Sequence, residues 1–283
     1  MGKFARTWQL MGASWQMLKQ DKRLIVFPLI SGVALLAVMA LFAAPVIAAA
    51  GAHPEMVRQA HGSLQNYLGL FVFYFLAYTV ITFFNSALLA CVFKQIDGEQ
   101  PTLGFGLKFA WSRIGQILGW ALLTSTVGIL LRMLEEKVGF IGRIVVSLLG
   151  MAWSVTSFLV VPVLVVEGTG PIESYKRSVE MLKRTWGEQI IGNVSFGLIF
   201  MLFGVVPAFI LFLLVAHGGS AMVMLAIAVV VVYLVLLGLV QSTLQTIYQA
   251  AIYCYAATGE APAGFDGQLI AEAFREKTRK NWL

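Results

Sequence analysis

Charge is what this chain has least of. Only 12% of its 283 residues are Asp, Glu, Lys or Arg, whereas 59% are hydrophobic. Soluble domains carry about 25% charged and about 45–50% apolar residues, which excludes a soluble enzyme and a disordered chain. The mean hydropathy of +0.83 agrees. Cysteine and histidine are scarce as well, at two and three residues. Cys91 and Cys254 stand alone, without a CxxC or any ligand spacing, so they read as small buried thiols. His53 and His61 flank Glu55 at a spacing that matches no standard metal site. Phosphate loops, nucleophile elbows and paired carboxylates are missing from any credible context. Neither a cofactor nor an enzymatic activity is implied.

What remains is a polytopic membrane protein. Six apolar segments, near 24–50, 66–93, 114–131, 144–166, 190–216 and 221–256, reach the roughly 20 residues that cross about 30 Å of hydrocarbon. The first is too long for the apolar core of a signal peptide, so it reads as a retained span despite Ala48-Ala49-Ala50. Pro28, Pro45, Pro162 and Pro207 are natural kink points.

The net charge of +6 and a pI near 9.4 belong to basic residues beside the apolar runs. There they meet anionic headgroups and set topology, and no nucleic-acid partner is needed to explain them. With the amino terminus inside, every Lys and Arg except Arg58, Arg132, Lys137 and Arg143 lies on the cytoplasmic side. Both termini are therefore expected in the cytoplasm of a prokaryotic cell, with the chain multi-pass in its inner membrane.

The cytoplasmic segments share a pattern. Phe4, Trp8, Met11, Trp15 and Leu18 recur at steps of four and three, and so do Ile172, Tyr175, Val179, Leu182 and Trp186. Leu103, Leu107, Ala110, Trp111 and Ile114 form a weaker third case. Such stripes with a basic opposite face describe helices lying in the headgroup plane. Each precedes two spans. The expected architecture is thus an all-α membrane protein, a single polytopic domain over 1–283. Its three parallel repeats, 1–97, 101–168 and 170–257, each join an interfacial helix to a transmembrane hairpin, and an amphipathic tail covers 258–283.

Candidate residues fall into four groups. Gln241, Gln245 and Gln249, with Thr246 and Tyr253, put an amide-rich face on the sixth span, as a polar groove or as interhelical hydrogen bonds. Glu167 is a boundary carboxylate, either a cation or proton site or the ion-pair partner of Lys176 or Arg177. Trp8, Trp15, Lys19, Lys22, Arg23, Arg113, Lys176, Arg177, Lys183, Arg184 and Trp186 are expected to face headgroups. Gly115 and Gly119, then Gly192 and Gly197, permit close helix approach.

Two stretches carry a family resemblance. They are Val-Pro-Val-Leu-Val-Val-Glu-Gly-Thr-Gly-Pro-Ile-Glu-Ser-Tyr-Lys-Arg-Ser-Val-Glu-Met-Leu-Lys-Arg-Thr-Trp-Gly at 161–187 and Ala-Ile-Tyr-Cys-Tyr-Ala-Ala-Thr-Gly-Glu-Ala-Pro-Ala-Gly-Phe-Asp at 251–266. With them the chain resembles the six-helix family called domain of unknown function 6159. More distantly it is similar to a membrane domain found with bacterial glycerophosphodiester phosphodiesterases. The resemblance implies a prokaryotic inner-membrane protein and no catalytic residue.

The sequence thus points to a non-catalytic membrane-organising or assembly subunit. Its expected partners are anionic lipid and either further copies of itself or another membrane protein. The alternative is a transporter or lipid-handling protein that uses the glutamine face. A membrane-embedded hydrolase ranks last, with Glu167 as its only available carboxylate.

Overall fold

Backbone amides in hydrocarbon find no water, so each apolar segment must bond its own groups. The computed structural model describes residues 3–52, 63–184, 200–205, 207, 209, 211, 220–262 and 265, and no strand occurs among them. The helices are α1 (Lys3–Gln20), α2 (Val26–Ala52), α3 (Leu64–Ile96), α4 (Leu103–Ser112), α5 (Ile114–Lys137), α6 (Phe140–Thr156), α7 (Val160–Glu167), α8 (Pro171–Arg184) and α9 (Ser220–Thr258). A 3-10 turn, Lys22–Ile25, leads into α2. Among the described residues, five stretches are long and apolar enough to cross a membrane: Lys22–Ala48, Leu64–Ile96, Ile114–Lys137, Phe140–Glu167 and Val223–Thr258. They fall where five of the six expected spans lie. Most of the expected span at 190–216 and most of the tail at 258–283 lie outside the described residues.

The chain forms two compact units, Val26–Met181 and Met1–Ile25 with Leu182–Leu283. In the first, α3 is the hub, and α2, α4, α5 and α7 all pack against it. Ser63 caps its start by accepting from the Asn66 amide at 3.2 Å. Its end turns through Gly98, which takes a left-handed φ of 84°. The Thr102 hydroxyl then accepts from the Phe105 amide at 3.2 Å and starts α4.

α4 lies close on α3 because Gly106 has no side chain. A Cβ there would sit 2.7 Å from both the Ala87 carbonyl oxygen and the Cys91 Sγ, and 2.8 Å from the Phe27 ring. The expected packing glycines behave differently. At Gly119 a Cβ would meet the Pro171 ring at 3.0 Å, but at Gly115 it would meet nothing within 4 Å. The signal that would have found Gly106 is Gly106-x-x-x-Ala110, two small buried residues one turn apart.

Between α6 and α7 the helix breaks at Ser157–Leu159. Pro162 accounts for the break, since its ring clashes with the carbonyl four residues back, that of Phe158. The freed groups find partners on α8. The Ser178 hydroxyl donates to the Thr156 carbonyl at 2.7 Å and accepts from the Leu159 amide at 3.2 Å. Left-handed Gly168, at φ 66°, ends α7, and Pro171 opens α8 two residues after Thr169.

In the second unit α1 and the 3-10 turn pack on α9. The buried arc of α1 is Leu10, Met11, Ser14, Met17 and Leu18. Trp8 and Trp15, expected within the stripe, sit on its shoulder at 56% and 41% exposure. The physical reason is size. Small Ser14 admits close approach, with its hydroxyl bonded to the Leu10 carbonyl of its own helix, whereas an indole would hold the helices apart. The same shift occurs in α8, where Ser174, Ser178 and Met181 are buried and Ile172 is exposed. Both helices carry Ser-x-x-Met-Leu-Lys, at 14–19 and 178–183, which places serine at the centre of each buried arc.

Two substitutions check this account of the packing. Gly106→Ala should cost about 1–3 kcal/mol through overpacking. Gly115→Ala should be neutral or stabilising by about 0.5–1 kcal/mol, because only helix propensity changes. Thermal unfolding in detergent separates the two. Ser178→Ala strands a buried amide and should cost about 1–3 kcal/mol in the same assay.

Candidate functional site

No single constellation dominates the described residues, and the polar chemistry gathers in three places. The first is the turn from α7 into α8. Arg177 donates through Nε to Glu167 at 3.4 Å and through Nη1 to Glu180 at 3.3 Å. Desolvation pulls the Arg177 pKa down, but hydrogen bonds and charge from Glu167 and then Glu180 outweigh it, holding the guanidinium above its ordinary range. Glu167 therefore sits in an ion pair with Arg177. Nearby, the Arg113 guanidinium occupies the space that a Cβ on Gly168 would need. The Gln116 side-chain amide donates to the Gly168 carbonyl at 3.4 Å, so the α4–α5 junction and the end of α7 are tied together.

Above this turn α8 is fastened by aromatics. Trp153 stacks on Tyr175 with centroids 5.0 Å apart, and Trp120 stacks on Trp153 at 5.8 Å. The Tyr175 hydroxyl lies 3.0 Å from Thr156 Oγ1. Tyr175 belonged to the expected stripe, and it is half-buried here as the flank of the buried serine arc.

The second place is the carboxy-terminal half of α9. The four-residue row Gln241, Gln245, Gln249, Tyr253 does not form one surface. Gln245 is exposed, Gln241 and Gln249 are half-buried, and Tyr253 is buried. An α-helix advances about 100° per residue, so each step of four drifts by about 40° and the row winds away from any one groove. Thr243 and Thr246 bond the Leu239 and Ser242 carbonyls of their own helix at 2.8 and 3.0 Å.

The third place lies at 132–143, the interval between the expected spans 114–131 and 144–166. The connection there is a two-residue turn, Val138-Gly139, because α5 continues to Lys137 and α6 begins at Phe140. Arg132–Lys137 contains no glycine or proline to stop the helix. One face of α5 carries Gly128, Leu131, Arg132, Glu135 and Glu136, at steps that return to the same side. With Tyr74 of α3 and Arg143 of α6 these line a groove of ≈ 500 Å³. Arg132 donates to Glu136 at 3.2 Å, and the Tyr67 hydroxyl donates to the other oxygen of the same carboxylate.

The headgroup-facing candidates divide. Lys19, Lys22, Arg23, Lys176 and Lys183 are exposed, whereas Arg113 is half-buried in the turn described above. Lys19 sits over the Trp15 ring at 5.5 Å, Arg113 over Phe109 at 5.7 Å and Lys94 over Phe105 at 4.6 Å. Arg184 lies at the end of α8. Trp186, Gly192 and Gly197 lie outside the described residues.

The Glu167–Arg177 pair is partly solvated, at 28% and 39% side-chain exposure. Glu167→Gln should therefore shift stability by less than about 1 kcal/mol, whereas a buried, unsolvated pair would lose about 3–5 kcal/mol on the same change. Thermal unfolding of the variant beside wild type reads the difference.

No curated protein matches this sequence. A family model does, over residues 64–265, from the second span through the end of α9. The more distant likeness to a phosphodiesterase-associated membrane domain finds no support in that match. The match covers most of the chain. The chain belongs to the family of unknown function DUF6159.

Proposed function

We propose that this protein is a non-catalytic, multi-pass component of a prokaryotic inner membrane, one that organises lipid or serves as an assembly subunit. The observation that carries this reading is the common construction of α1, α4 and α8. Each turns small residues inward, Ser14, Gly106 with Ala110, and Ser174 with Ser178. Each leaves aromatic or cationic side chains open, among them Trp8, Trp15, Lys19, Trp111, Lys176 and Lys183. That is the build of a collar anchored in headgroups, with positive charge for anionic lipid.

The packing partners support three parallel repeats. α4 leans on α3, α8 on the broken end of α6, and α1 on α9. In each case an amphipathic helix docks on the helix that would close a hairpin. Under this reading both termini are cytoplasmic, by the distribution of Lys and Arg. Oligomerisation through exposed apolar faces, such as that of α6, completes the proposal. The transport alternative rests on the glutamine row, and its winding course gives it no such support.

Native mass spectrometry from mild detergent tests the proposal. A discrete oligomer retaining anionic phospholipid is the expected result, with retention reduced in a Lys19→Gln, Lys176→Gln, Lys183→Gln variant. A lipid-free monomer carrying one stoichiometric solute would overturn it. Modification of single cysteines placed at either terminus, in intact spheroplasts against inverted vesicles, checks the orientation. Labelling only in inverted vesicles is expected.

A further inference from the structure

The groove between α3, α5 and α6 has a charge arrangement that the collar reading does not use. Arg132 and Glu136 neutralise each other within it, and Tyr67 completes the Glu136 carboxylate. Glu135 and Arg143 line the same groove, yet among the described residues neither side chain makes an ion pair or hydrogen bond. One anion and one cation therefore face a shared space of ≈ 500 Å³ without being close enough to satisfy each other. A ligand carrying both signs would satisfy both.

Depth and surroundings narrow the ligand. The apolar run of α5 ends at Leu131, so Arg132 and the residues after it stand where hydrocarbon gives way to headgroups. Beside Arg143, α6 presents Phe140 and Ile141 at 79% and 77% exposure, with Ile144 one turn on. Those side chains suit acyl chains rather than water. From these placements we infer that the groove binds the headgroup of a phosphatidylethanolamine-type lipid. Its phosphate lies on the Arg143 guanidinium, which can grip two oxygens in parallel. Its primary ammonium donates to Glu135. A choline headgroup has no N–H to donate, so Glu135 discriminates between the two zwitterions.

Lipid retention by the full chain, measured by native mass spectrometry with defined phosphatidylethanolamine, phosphatidylcholine and phosphatidylglycerol, tests this site. Wild type is expected to prefer ethanolamine over choline lipid by roughly fivefold, the scale of one charge-assisted hydrogen bond at a partly solvated position. Glu135→Gln should erase that preference while leaving choline lipid retention unchanged, and Glu135→Asp should keep it. Arg143→Gln should weaken both zwitterions by a similar factor. Phosphatidylglycerol bound at the collar should be unaffected by any of the three, so this site and the collar fail or stand separately. Both positions are exposed, and an unchanged helix melt confirms that each variant is folded. Equal retention of the two zwitterions by wild type would overturn the inference, as would a preference that survives in Glu135→Gln. Saturable binding of soluble glycerophosphoethanolamine without any lipid preference would assign the groove to a free solute and overturn the lipid assignment.

Discussion

The hydroxyl of Ser178 holds together the part of this fold that proline would otherwise open. Pro162 interrupts the long apolar segment after Thr156, and inside a stretch apolar enough to cross a membrane a freed carbonyl and amide are expensive to leave unpaired. One side chain from another helix meets both, at 2.7 and 3.2 Å. That requirement sets the position of α8. Once Ser178 faces the break, Tyr175 must fall against Trp153, and Arg177 must rise toward Glu167. A turn that looks like a cluster of charges is organised by backbone hydrogen bonding.

The periodicity of the amphipathic helices located them, and part of each stripe, Met11 and Leu18 in α1 and Leu182 in α8, is buried. The same stripes also run through Trp8, Trp15 and Ile172, whose side chains are exposed. At a membrane surface those residues have another place to go, since the headgroup layer accepts an indole as readily as a core does. The interior is then left to whatever lets helices approach, here serine, glycine and alanine with Met and Leu beside them. The repeated Ser-x-x-Met-Leu-Lys was visible in the residues all along, but only as a contact rule does it mark the inward face.

Polar residues misled in a complementary way. Arg132 through Lys137 fell outside the expected span 114–131, yet nothing in them stops a helix, and the connection to α6 shrinks to Val138-Gly139. Prolonging α5 by those residues gathers Arg132, Glu135 and Glu136 on the side that faces Tyr74 and Arg143. Spans were legible from apolar length alone, because the bilayer sets that length. The groove was not, because it depends on where two helices end relative to a third.

The joint between α4 and α5 carries a mechanical consequence. Arg113 closes one helix and opens the next, with its guanidinium packed against Gly168. The connection from α3 into α4 runs through residues 97–102, but this one has a single pair of backbone torsions. When a thinner bilayer forces a span to tilt, a long linker absorbs the rotation and a one-residue joint does not. Tilt in α5 is carried into the roll of α4, and so into the exposed aromatic surface of α4 that the proposed collar would lay on the headgroups. Bilayer thickness and interfacial grip are thereby one variable at this corner of the protein.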